Sequence, residues 1–427
     1  MDYKFDLEFA RQKDKNDPLN SYRNEFLFPQ HNGREVVYFT GNSLGLQPKG
    51  AKAAIQQELD DWEKFGVEGH FEAKNPWFSY HELFAEPLAR LVGAKPTEVV
   101  AMNGLTTNLH LMMVSFYRPT KERYKIICEG KAFPSDQYAL ESQVRMHGLD
   151  PNDVIIELNP RDGEHNVRTE DALAAIKEAG SSLALVMIGG VNYYTGQVFE
   201  METITKAGHD VGAMVGWDLA HGAGNIPVKL HDWDVDFACW CSYKYLNSGP
   251  GSISGAFVHE KHCNNVDLVR LAGWWGHDKD VRFMMEKGFK PMKSAESWQL
   301  SNAPVLAMAV HKVALELHDK VGMDKLRAKS LDLTSYLEFV INEVSAKHPN
   351  STFEIITPKN PNERGAQLSI LVQGHGKSLF DALTDGGVIA DWREPNVIRI
   401  APVPMYNSYE DCYRFGDVLS SAIEAGK

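Results

Sequence analysis

Long apolar runs, an excess of positive charge and a paired set of cysteines are all missing from this 427-residue chain. No window approaches the length of a membrane-spanning helix, so no membrane partner is expected. A net charge of −13 leaves no basic face to neutralise phosphates, which argues against a nucleic-acid partner. The cysteines number five, an odd count, and no Cys-x-x-Cys pair is present to hold zinc, so no metal site is expected. Cys239 and Cys241 flank Trp240 on a strand pattern and share one face, which reads as buried, reduced thiols. The opening Met1-Asp-Tyr-Lys-Phe-Asp-Leu-Glu8 is charged and has no apolar core of signal-peptide length, so a cytoplasmic location is expected. Repeats, low-complexity tracts and long charge runs are absent as well.

What is present is an ordinary globular composition, 43% hydrophobic and 24% charged, on a chain too long for one simple core. Three parts are expected. Residues 1–48 form an N-terminal arm and first loop that packs with the small domain. Residues 49–304 form a large domain, and residues 305–427 a smaller C-terminal domain with its linking helix. In the first loop, Thr40 to Pro48 holds two glycines and an Asn-Ser pair, so its backbone either approaches something closely or makes a plain strand-to-helix turn. Lys49 to Phe65 reads as a helix with Ala53, Ile55, Leu59 and Trp62 on roughly one side. From about residue 97 a strand–turn–helix rhythm holds for about 160 residues, the pattern of an α/β domain. Helix patterns then run from Val305 to about Lys347, broken near Gly322. Strands near 353–356, 367–372, 388–392 and 397–400 and a last helix from about Tyr409 complete a smaller α/β unit.

Chemistry gathers at strand ends. Phe237 to Cys241 is an apolar, aromatic run with the composition of a buried strand, and Lys244 follows it before a turn-forming Asn-Ser-Gly-Pro-Gly segment. A lysine there suits an imine-forming amine; a stem that snorkels to water is the alternative. The strand Val211–Trp217 ends on Asp218, an acid that is costly at a buried strand end unless a cation meets it. Val99–Met102 leads through Gly104, Leu105 and Thr106 into a helix, either an anion site or a simple Thr cap. That turn matches neither G-x-G-x-x-G nor a Walker loop, which disfavours NAD and ATP. Thr169 is expected to cap a helix from Glu170 to Ala179. Taken in order, Thr106, Asp218 and Lys244 supply what pyridoxal 5'-phosphate requires: a phosphate site, a partner for the ring nitrogen and an amine for the aldehyde. Phe133 could stack on a planar ligand or pack on the core, and His70 reads as a surface histidine. Arg399 lies inside a short apolar strand and needs an anion, either a substrate carboxylate or an internal salt bridge.

These residues carry a family resemblance. Phe39-Thr-Gly-Asn-Ser-Leu-Gly-Leu46, Leu105-Thr106, Phe133-Pro-Ser-Asp136, Tyr194-Thr-Gly-Gln197, Asp218-Leu-Ala-His221 and Trp240-Cys-Ser-Tyr-Lys-Tyr-Leu-Asn247 resemble kynureninases. So do Gly273-Trp274, Ser301-Asn302 and Arg399 with Ala401-Pro-Val-Pro404, and the likeness runs from about residue 36 to the C-terminus. It implies a fold-type-I pyridoxal-phosphate enzyme, with a mainly parallel central sheet flanked by helices and a smaller α/β C-terminal domain. It also implies a homodimer with shared active sites that hydrolyses L-kynurenine to anthranilate and L-alanine, or 3-hydroxykynurenine to 3-hydroxyanthranilate, in tryptophan catabolism. Carried over by position, Lys244 would be the Schiff-base lysine and Asp218 the partner of the ring nitrogen. Leu105, Thr106 and Tyr243 would hold the phosphate, Phe133 would stack on the ring, and Asp136 and His221 would sit around it. Trp274 and Asn302 would reach the cofactor from the neighbouring subunit. Arg399 would bind the α-carboxylate, and His70, Ser301 and Asn302 would lie near the substrate's aromatic ring. Lys244 would move the α-proton and Tyr243 would relay one to Cβ. Gly189 departs from the serine expected in animal members, which touches only a peripheral cofactor contact. Cysteine desulfurases and selenocysteine lyases share the implied fold but use a loop cysteine late in the chain, and here none lies between Cys263 and Cys412. A retained scaffold without activity would have no need to keep Lys244, Asp218 and Arg399 together.

Overall fold

The computed structural model describes residues 3–349, 351–374 and 376–426. Asp6 opens the first helix, α1 (Leu7–Asn16), where its carboxylate accepts the Phe9 amide at 2.9 Å. A two-residue strand, β1 (Val37–Tyr38), and the glycine-containing loop lead to α2 (Ala51–Phe65). The expected packing face of α2 is a correction. Leu59 and Trp62 are exposed, and the helix buries Ala51, Glu58 and Asp61 instead. Those acids are tolerated because they are satisfied: Glu58 accepts from Asn75, Trp77 and Tyr80 at 3.1, 2.9 and 2.9 Å, and Asp61 from the Lys74 amide at 3.1 Å.

The alternating rhythm then follows as β2 (Val99–Ala101), α3 (Leu105–Phe116), β3 (Lys125–Glu129), α4 (Pro134–Met146), β4 (Ile155–Leu158), α5 (Thr169–Ala179), β5 (Leu183–Gly189), α6 (Met201–Asp210), β6 (Met214–Asp218), β7 (Phe237–Cys241) and β8 (Ser254–Val258). Among the described residues these strands form one seven-stranded sheet in the order β2-β8-β7-β6-β5-β3-β4, and β8 runs against the rest. Every residue of β5 and β7 is buried, as expected of central strands covered on both faces. Because β3, β5, β6 and β7 are parallel, their carboxyl ends share one edge, where Glu129, Gly189, Asp218 and the residues after Cys241 meet. Two helix starts differ from expectation. α3 begins at Leu105 behind Gly104, so Thr106 lies in the first turn rather than capping it; α5 begins at Thr169 itself, with Arg168 in the cap position.

The C-terminal part opens with α7 (Val305–Val321) and α8 (Met323–Lys347), separated at Gly322, whose φ of +82° a residue with a side chain rarely adopts. α7 gives Met308 and Leu315 to the core of the large sheet, whereas α8 gives Leu333, Tyr336 and Leu337 to the C-terminal core, as a linking pair does. Then come β9 (Thr352–Ile355), β10 (Leu368–Gln373), α9 (Lys377–Asp385), β11 (Val388–Ile389), β12 (Asp391–Arg393), β13 (Val397–Ile400) and α10 (Tyr409–Glu424). An antiparallel sheet runs β9-β10-β13-β12. The strand expected over 388–392 is split, because β11 leaves that sheet to pair with β1 of the N-terminal arm. The arm is also held by packing: Ala10, Val37 and Phe39 join the C-terminal core. Asp14 accepts the Tyr409 and Glu410 amides at 2.7 and 2.9 Å, an anion at the positive end of α10.

Candidate active site

Lys244 sits in a pocket at the carboxyl edge of the large sheet. Leu105, Thr106, Phe133, Asp136, Asp218, His221 and Tyr243 line it with the lysine. Lys244 is half-buried, with Nζ 5.7 Å from the centre of the Phe133 ring and 5.9 Å from that of Tyr243. Its backbone is fixed by the glycine-containing loop. The Gly45 amide donates to the Tyr243 carbonyl at 2.8 Å, and a Cβ on Gly45 would stand 2.3 Å from the Lys244 carbonyl oxygen. The close backbone approach expected of that loop is therefore with the lysine segment.

Three carboxyl groups surround the deep end. Asp218 Oδ1 accepts the Ala220 amide at 2.6 Å, and Glu129 Oε2 accepts the Gly189 amide at 2.9 Å. Burial pushes the Asp136 carboxyl well up, and the adjacent Asp218 carboxyl adds to the rise. Burial also pushes Glu129 up to about 7, against the Gly189 hydrogen bond that favours its anion. Gly189 explains part of this crowding, since a Cβ there would lie 2.8 Å from Glu129 Oε1. Burial holds His221 well below the usual histidine range, with Lys244, Arg399 and Arg393 contributing, so its ring is neutral. Burial, then the neighbouring Cys241 thiol, raises the Tyr243 phenol, which keeps its proton at neutral pH.

The pocket fits a planar, anionic cofactor. Asp136 Oδ1 and His221 Nδ1 are buried without a hydrogen-bond partner, which leaves an acceptor and a ring nitrogen unmet beside the acid pair. At the other end, the first turn of α3 offers free N–H groups at its positive pole, next to Tyr243 and the exposed Thr106 hydroxyl. Pyridoxal 5'-phosphate matches this donor set, with acids for a ring nitrogen at one end and N–H and hydroxyl donors for a phosphate at the other.

Arg399 is buried on β13, 1% exposed, and stands opposite Asp391 of β12. It pairs with that carboxylate, and its Nη1 donates to the Tyr193 carbonyl at 2.5 Å. Tyr193 lines the pocket, with its ring edge-on to Phe133 at 5.2 Å. Four other residues singled out from the sequence do not line the pocket. Ser301 and Asn302 are exposed, Trp274 is 48% exposed, and His70 Nδ1 donates to the Val67 carbonyl at 2.9 Å. They share a separate aromatic surface, in which ring centres step from His70 to Phe71, Phe78, Phe283 and Trp274 at 6.5, 6.0, 5.7 and 5.6 Å. The Trp275 amide ties it to the Leu300 carbonyl at 3.4 Å, beside Ser301.

Sequence reasoning passed over Glu129, Ser135, Tyr193 and Cys241 as pocket residues. For Glu129 the signal was present, since it ends an apolar strand as Asp218 does: both are acids where a buried strand stops.

Comparison with known proteins is consistent with this arrangement. In fold, the chain is similar to a cysteine desulfurase from Thermococcus onnurineus (TM-score 0.73, 18% identity, covering 100% of this chain and 99% of that one). It is also similar to a C-DES variant with glycine covalently linked to its PLP cofactor (TM-score 0.74, 16% identity, covering 90% and 96%). The chain thus shares the α/β fold of these two proteins. Residues 326–419 match the family described as kynureninase C-terminal domain. The kynureninase of Flavobacterium johnsoniae is 60% identical over 423 residues, 99% of each chain, and that of Flavobacterium psychrophilum 59% over 417 residues, 98% of each. The chain belongs to the kynureninase family.

Proposed function

We propose that this protein is a pyridoxal-phosphate-dependent hydrolase that cleaves the Cβ–Cγ bond of L-kynurenine to give anthranilate and L-alanine. The His70 and Ser301-Asn302 pattern extends the proposal to 3-hydroxykynurenine. The observation that carries it is the meeting of Lys244, Asp218 and the start of α3 in one pocket, within a chain of this family. When bound, the cofactor supplies an electron-withdrawing ring that stabilises negative charge developing on the substrate. Lys244 Nζ is the attachment point and the group that takes the proton from Cα. Asp218 keeps a proton on the ring nitrogen, with Asp136 beside it. Tyr243, which holds its proton, donates towards Cβ as the bond breaks. His221 stays neutral and adds no competing charge. Water must reach the γ-carbonyl, while burial at the strand ends keeps it from the ring nitrogen.

A homodimer is part of the proposal: Trp274, Asn302, His70 and Ser301 would complete the partner's site. The exposure of Phe71, Trp274 and Phe283 on that side supports it. A cytoplasmic location is supported by five free, buried cysteines. Among the described residues, no helix is long and apolar enough to cross a membrane. Cys412 is wholly buried within α10, which disfavours desulfurase chemistry at that thiol. The test is to supply cofactor and then kynurenine or its 3-hydroxy form, following release of fluorescent anthranilate or 3-hydroxyanthranilate respectively and comparing kcat/KM. Turnover of either supports the proposal; a protein that takes up cofactor yet releases neither anthranilate from kynurenine nor 3-hydroxyanthranilate from its 3-hydroxy form contradicts it.

A further inference from the structure

Asp391 serves two arginines, not one. Besides pairing with Arg399, its Oδ2 accepts Arg393 Nη2 at 3.2 Å. One carboxylate against two guanidinium groups leaves a positive charge unmatched. The Nε atoms of Arg399 and Arg393 are both buried and without a partner. Burying unmatched charge is costly unless an anion arrives to meet it. The excess lies next to the Lys244 pocket without lining it: Arg399 donates to the carbonyl of Tyr193, a pocket-wall residue, and both arginines contribute to keeping the pocket's His221 neutral. Arg393 keeps 36% of its side chain accessible, so a small anion can reach it, and Arg399 beside it is buried at 1%.

The family resemblance already gives Arg399 the α-carboxylate of the amino-acid substrate; we propose that Arg393 adds a second positive charge to that subsite and that Asp391 positions both guanidinium groups. Arg399 donates to the carboxylate, Arg393 supplies the second positive charge, and Asp391 is the positioning residue that holds both guanidinium groups beside the pocket. The substrate and the part of Arg399 rest on the kynureninase reading; the sharing of Asp391 between two arginines does not. No bond is made or broken in this step, and the carboxylate simply completes the pairing that Asp391 leaves half done.

The test uses the cofactor-loaded enzyme with L-kynurenine and its α-carboxamide. Arg393→Gln is expected to raise KM for kynurenine about tenfold with kcat within about twofold, and to leave the carboxamide unaffected. Arg393→Lys, which keeps the charge, is expected to recover most of the loss. Asp391→Asn adds net positive charge but frees the arginines, so kcat falls about tenfold while KM is unchanged or lower. Asp391→Glu recovers part of that fall. The proposal is overturned if Arg393→Gln changes KM equally for carboxylate and carboxamide, or not at all; wild-type kcat in Asp391→Asn removes Asp391 from it. Should wild-type enzyme be inert to kynurenine, the functional reading fails separately. The absorbance response of the bound cofactor to L-alanine against L-alaninamide then tests the same variants, with the carboxylate-specific loss expected again in Arg393→Gln.

Discussion

The Lys244 pocket is walled by one chain's own strand ends, with Asp136, Asp218 and His221 buried around it, whereas the surface bearing His70, Trp274, Ser301 and Asn302 is open to solvent. Both carry residues that the family resemblance places in one active site. In the pocket, burial has already done its work: carboxyls are crowded, a histidine is neutral and two polar atoms lack partners. On the aromatic surface, Phe71 at 62%, Phe283 at 55% and Trp274 at 48% exposure leave apolar area uncovered among the described residues. The difference separates what one chain can assemble from what a second copy would add.

Mixing two inactivated chains breaks or sharpens that contrast most strongly. Lys244→Ala is expected to be inert and Trp274→Ala to lose at least about tenfold in kcat/KM. If the two surfaces serve one site across a dimer, coexpressing the variants collects both defects in one site of each mixed dimer and leaves the other intact. Random pairing then restores about a quarter of wild-type activity. No recovery in isolated mixed dimers would mean that each chain completes its own site.

A smaller effect probes the pocket side alone. The Glu129 carboxyl rises from 4.5 to about 7 on folding, so the folded chain holds its proton more tightly than the unfolded one. Its contribution to stability is full below about pH 4.5 and is lost as pH rises through about 7, on the order of 3 kcal/mol. Glu129→Gln keeps an acceptor for the Gly189 amide and removes the ionisation. Cofactor-free Glu129→Gln is therefore expected to gain in Tm over wild type as pH is raised from 4.5 to 8, and to show no gain at pH 4.5. A Tm difference independent of pH would show that Glu129 does not titrate in this window.

The same contrast governs how much was legible beforehand. Asp218 and Lys244 stand out in the sequence because each follows an apolar strand, and parallel strands bring such positions to one edge. Glu129 obeys the same rule yet was missed, since an acid after Lys-Ile-Ile-Cys is an ordinary strand ending until Gly189 is known to lie beside it. Asp391 as partner of Arg399 was beyond reach, because it depends on the register of two strands joined by a turn. In α2 the apolar periodicity was real but its direction was not: Ala53, Leu59 and Trp62 lie towards solvent while Glu58 and Asp61 face inwards to meet Trp77, Tyr80 and Lys74. Periodicity identifies a face and not what covers it. The roles of His70, Ser301 and Asn302 came from resemblance alone, with no local signal to carry them.

The account stands most directly on Lys244 as the residue that holds the cofactor. Loading the protein with pyridoxal 5'-phosphate, reducing it with borohydride and mapping the digest by mass spectrometry reads this without any substrate. The expected result is a phosphopyridoxyl group on the peptide containing Tyr243-Lys244-Tyr245, at Lys244. Its appearance on another lysine, or on none, would contradict the account.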